Sequence, residues 1–69
     1  MDRKTAELLM KELLALSRPL NSATAIVDKI ADEEERNKLR REIGEVMGSL
    51  YANLMLPIIR QYPDLDPDR

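Results

Sequence analysis

Apolar residues recur along this chain at helical rather than strand spacing, and they do so in three blocks. In the first, Ala6, Leu9, Leu13 and Leu16 share one face, with Met10 and Leu14 broadening it. In the second, Leu20, Ala23, Val27 and Ile30 form a stripe with Ile26 beside it. In the third, residues stepped by about 100° put Ile43, Met47, Leu50, Leu54 and Ile58 on one face. Gly44, Gly48, Ala52, Met55 and Ile59 line an adjoining face. The pattern predicts helices over about residues 3–17, 19–31 and 33–61.

Polar and imino residues punctuate these blocks. Asp2 is an N-cap residue type, and Pro19 disfavours helical geometry in the residue before it while suiting a first helical turn. A break between two helices and a kink in one long helix both satisfy Pro19. Asp32 followed by Glu33, Glu34 and Glu35 marks a new helix start, because acidic side chains complement the free N–H groups of a first turn. A tight turn is expected near Ala31 and Asp32. The third helix is then about as long as the first two segments end to end, which predicts antiparallel pairing.

Pro57 falls inside the third helix and removes the hydrogen bond it would have donated to Asn53, so a bend or an early end is expected there. The terminal YPDLDPDR cannot stay helical through Pro63 and Pro67. Residues 1–62 therefore read as a single helical domain and 63–69 as an extended acidic tail. The fold class is all-α, an antiparallel helical hairpin or three-helix unit.

Charge sharpens the picture of the third helix. Residues 46–59, VMGSLYANLMLPII, carry no charge in a chain that is 35% charged. On an ideal wheel the apolar arc covers about two-thirds of the circumference, more than one neighbouring helix covers. One face belongs to the other segments of the chain, and the second is expected to meet another copy or a different partner. Gly44, Gly48 and Ala52 form a ladder of small residues that permits close helix approach, and each interior Gly costs about 1 kcal/mol relative to Ala unless a contact compensates. The expected interface is Gly44, Gly48, Tyr51, Ala52, Met55 and Ile59, and a two-fold dimer forming a helical bundle is the commonest symmetric outcome.

Composition supports association. A chain of 69 residues buries only about 60% of the surface its unfolded form exposes, so small folds add disulfides, metals or partners. Cys and His are absent, which leaves partners. The uncharged stretch is shorter than the roughly 20 residues that span a bilayer, and Lys11 and Glu12 interrupt the first apolar block, so neither a membrane span nor a signal peptide is expected. A cytoplasmic location fits best.

The inventory for chemistry is thin. Without His or Cys, the commonest general base and the best thiol nucleophile are missing. Ser17, Ser22 and Ser49 have no base in a known signature, and no glycine-rich phosphate loop occurs. No enzyme activity, cofactor or metal is expected. Asp64, Asp66 and Asp68 alternate like the first ligands of a calcium loop, but the required Gly and closing Glu are lacking. They read first as an acidic solvated terminus and, as the alternative, as candidate contacts for an unidentified protein partner together with Tyr62, which is equally placed to fold back over Ile58 or Ile59.

Arg36, Lys38, Arg40 and Arg41 are the one basic cluster. A helix opening on Asp32 to Glu35 would place carboxylates where DNA-reading helices touch phosphates, and the net charge is −2. Nucleic acid is therefore not the expected partner. The segment KIADEEERNKL, an acidic tight turn between two amphipathic helices, resembles the turn of the ROP family of dimeric four-helix-bundle regulators. That resemblance implies paired hairpins and, as the alternative function, a hairpin dimer that binds nucleic acid. The reading preferred is a small non-catalytic interaction or regulatory module that acts as a helical homodimer.

Overall fold

A computed structural model describes residues 1 to 68, so the last residue of the expected tail, Arg69, lies outside the described residues. Among them every regular element is helical. Helices α1 (Arg3–Ala15) and α2 (Ser17–Val27) form a first arm, and α3 (Glu33–Ser49), a π-helical turn (Leu50–Met55) and α4 (Leu56–Gln61) form a second. The arms pair as an antiparallel hairpin, α2 against α3 and α1 against the π-helical turn, in a body measuring 46 × 19 × 16 Å.

Pro19 kinks the first arm without reversing it. Leu16, at the junction, keeps helical backbone angles (φ −68°, ψ −21°). Its N–H tightens onto the carbonyl of Leu13 at 3.2 Å, and the Ser17 hydroxyl donates to the carbonyl of Leu14 at 2.7 Å. The three-helix alternative is thereby resolved into a two-armed hairpin with one bent arm.

The turn between arms spans residues 28 to 32. The N–H groups of Lys29 and Ile30 donate to the carbonyls of Ile26 and Val27, both at 3.0 Å. Arg36 donates to the carbonyl of Ile30 at 3.1 Å, and Arg40 pairs with Asp28. Asp32 stands at the N-cap of α3 as expected, yet its side chain makes no cap hydrogen bond, and neither does that of Asp2 before α1. Glu33, Glu34 and Glu35 in the first turn complement the helix dipole instead.

The second arm carries the main departure from the ideal wheel. In the π-helical turn the N–H of Leu56 donates to the carbonyl of Tyr51, five residues back, rather than four. This widening inserts one residue into the helix and sets everything downstream back by about 100°. Pro57 supplies a local reason. In an uninterrupted α-helix its missing N–H would orphan the carbonyl of Asn53 and its ring would collide there, whereas after the widened turn Pro57 stands in the first turn of α4.

The shift rewrites which residues face the first arm. Ile43, Met47 and Leu50 are half-buried, as expected, but Leu54 is 51% exposed and Met55 only 7%. The core is Ala6, Met10 and Leu13 of α1 with Met55, Ile58 and Ile59, and Leu50, Tyr62 and Leu65 pack against it. Two faces that the ideal wheel separates are thus spliced into one stripe. Met55 and Ile59, expected to meet another copy, are part of the chain's own core, because the π-helical turn rotates them toward α1.

The core is concentrated at the open end. Toward the turn, Val27 is buried, while Leu20, Ala23 and Ile30 are half-covered and α3 buries no side chain completely. The open end is also clasped by polar groups. Arg3 makes a forked pair with Asp64, one arm of it 3.1 Å, and bonds Glu7 at 3.0 Å. The Tyr62 hydroxyl donates to the carbonyl of Met1 at 2.7 Å, beneath the Arg3 guanidinium, which stands 5.7 Å from the ring centroid. Pro63–Leu65 forms a 3-10 turn with Leu65 half-buried. The beginning of the expected extended tail is therefore folded back onto the domain.

Candidate interaction surface

A hairpin is one layer of helices, and stable domains usually bury apolar surface between two. The consequence is visible in what remains uncovered. Leu9, Leu16, Val46 and Leu54 are 41%, 47%, 54% and 51% exposed. Leu9 and Leu16 lie just behind the core row of α1 in rotational sense, and Val46 and Leu54 lie behind the core row of the second arm in the same sense. Antiparallel helices turn in opposite directions when viewed down a common axis, so flanks displaced alike fall on the same side of the hairpin.

The pairs Arg3 with Asp64 and Asp28 with Arg40 mark the register of the arms. They bring Leu9 toward the Leu54 end of this flank and Leu16 toward the Val46 end. Val46, Leu50 and Leu54 also line a shallow, open groove bordered by Glu42, Glu45, Ser49 and Asn53. Carboxylates and amides thus rim one long edge of an apolar stripe.

The residues singled out by sequence scatter. Gly44, Gly48 and Ala52 are exposed, and a Cβ built on either glycine would meet nothing within 4 Å. The ladder therefore serves no packing within the chain. Tyr51, 40% exposed, sits on the flank opposite the leucine stripe together with Leu14, 37% exposed. Tyr62 and Asp64 are engaged in the clasp with Met1 and Arg3, while Asp66 accepts a hydrogen bond from the N–H of Asp68 at 2.9 Å. The hydrogen bond and charge of Asp64 push the Arg3 guanidinium further above its ordinary range.

Leu9, Leu16 and Val46 were not among the expected interface residues. Leu9 and Leu16 read as core on a smooth wheel, and the displacement of Leu54 needs the π-helical turn. A signal for that turn exists in the spacing. Ile43, Met47 and Leu50 alternate four and three residues apart, and the next core positions, Met55 and Ile58, follow after five and three. A heptad interrupted by one extra residue is the pattern of a local widening.

The basic cluster is partly committed to the fold, Arg36 to the turn carbonyl and Arg40 to Asp28. Among the described residues, no group of three or more acidic side chains is placed to hold a metal, and no helix is long and apolar enough to cross a membrane. No family model, curated protein or solved structure matches this chain. The class supported by the fold is thus an all-α helical hairpin with an uncovered apolar flank.

Proposed function

We propose that this chain is a small cytoplasmic interaction or regulatory module that works as a helical homodimer and carries no chemistry of its own. One observation carries the reading. The chain exposes 5206 Å², whereas a compact protein of 7.9 kDa exposes about 4,400 Å². The surplus of roughly 800 Å² goes with an apolar flank left uncovered, on which Leu9, Leu16, Val46 and Leu54 are 41% to 54% exposed. Its radius of gyration, 14.8 Å, likewise exceeds the roughly 11 Å of a compact chain this long.

Light scattering over a dilution series tests the reading, with a mass of two chains expected at high concentration and dissociation on dilution. A folded monomer at every concentration overturns it. Nucleic-acid binding, the alternative carried by the ROP-like turn, has Arg36 and Arg40 drawn into intramolecular bonds against it. Filter binding with mixed DNA and RNA at two salt concentrations is expected to show no retention.

A further inference from the structure

We propose that residues 62–65 form a releasable strap, opening as a unit while the two arms stay paired, and that Arg3 is the catch that holds it shut over the apolar open end of the hairpin. The inference is independent of the self-association proposed above. The backbone accounts for the autonomy of the segment. Tyr62 leaves helical geometry (φ −135°, ψ 81°), and Pro63 brings no N–H to carry the α4 ladder onward. Beyond it the backbone hydrogen bonds close within the turn, from the Leu65 N–H to the Tyr62 carbonyl at 2.9 Å and from the Asp66 N–H to the Pro63 carbonyl at 3.2 Å. The turn can lift away with these bonds intact and α4 unbroken. Such local opening needs less free energy than global unfolding, because it gives up few contacts.

Side chains hold the segment against the domain, and they converge on the start of α1. Arg3 forks to Asp64, and its guanidinium also stands over the Tyr62 ring, 5.7 Å from the centroid. Glu7, one turn further along α1, accepts from Arg3 at 3.0 Å and so steadies the fork. The Tyr62 hydroxyl adds its bond to the Met1 carbonyl. Arg3 and Asp64 are half-exposed, so salt screens their attraction and water competes for it. The apolar side of the strap is Tyr62 and Leu65, both packed on the cluster that contains Ala6, Ile58 and Ile59. Release of the catch bares apolar side chains of both arms at one end of the molecule, and closure hides them. The strap is thus an autoinhibitory contact supplied by the chain itself, and ionic strength sets how often it opens.

Nuclear magnetic resonance of the full chain tests the proposal, through amide exchange and through the accessibility of the Ile58 and Ile59 methyl groups to a neutral, soluble relaxation agent. Arg3→Gln should speed exchange at Leu65 and Asp66 severalfold, while Met10 and Leu13 in the interior of α1 keep the rates of the intact chain. The same variant should make Ile58 and Ile59 more accessible. Molar salt should reproduce both changes in the intact chain and add nothing in Arg3→Gln. Tyr62→Phe keeps the ring and removes the hydroxyl. It should loosen the strap in the same way, and it leaves α1 untouched should Arg3→Gln disturb that helix.

Equal acceleration at Met10 and Leu65 would mean that the strap opens only with the whole fold. An unchanged rate at Leu65 in both variants would mean that Arg3 and the Tyr62 hydroxyl hold nothing shut. Ile58 and Ile59 methyl groups still shielded in a variant whose strap exchanges faster would mean that the segment covers no apolar surface. Each of these results overturns the proposal.

Discussion

Deleting Ala52 together with Pro57→Ala should convert the second arm into one continuous α-helix without disturbing the core. The π-helical turn holds one residue more than an α-helix of the same phase. Removing exposed Ala52 takes out that residue and leaves Met55, Ile58 and Ile59 facing α1. Pro57→Ala is needed alongside, because proline inside an ordinary α-helix costs about 3 kcal/mol. The opposite change, one alanine inserted after Ala52, turns Met55, Ile58 and Ile59 away by a further 100° or so.

Burial of each such side chain is worth about 1.5–3 kcal/mol, so the insertion forfeits roughly 5–9 kcal/mol. A chain of this length has about 3.5–10 kcal/mol of total stability. The inserted chain should therefore lose cooperative unfolding. The deletion variant should unfold at a urea midpoint no lower than that of the intact chain, followed by far-ultraviolet circular dichroism. If the deletion unfolds as readily as the insertion, the downstream phase is not set by the π-helical turn, and the account of the core is wrong.

Other expectations follow from single side chains. Ile58→Ala, at a site only 1% exposed, should cost about 2–5 kcal/mol in urea unfolding. Gly44→Ala and Gly48→Ala should each stabilise by up to about 1 kcal/mol, since nothing lies near the added methyl; a loss of stability would mean that another helix presses on that edge. Asp64→Asn should lower stability only slightly, because both partners of its pair with Arg3 are half-exposed. The difference should shrink further in 1 M salt, where a thermal melt detects it.

Much of the hairpin was legible because helical periodicity and punctuation are local properties. The expected helix spans near 3–17, 19–31 and 33–61 agree with the observed arms to within a few residues, and the acidic run at Asp32 to Glu35 marks the reversal. The candidate surface was less legible. A fixed 100° step assigned Met55 and Ile59 to another copy, yet both are core. It also made Leu54 core, yet half of that residue is uncovered. The error entered at one place, the widened turn just before Pro57, and every angle beyond it moved together.

The amino-acid order by itself determined that the chain is helical, where it reverses, and that its apolar side chains exceed what one helix pair hides. Those are consequences of spacing, charge and the missing N–H of proline, felt within a turn or two. Tertiary structure decided which of two proline readings holds at Pro19, how the phase resets between Leu50 and Met55, and that the clasp of Arg3, Tyr62 and Asp64 folds the C-terminal turn back. The clasp joins residues some sixty positions apart. Only packing of one arm on the other chooses among backbone pitches whose local energies are close.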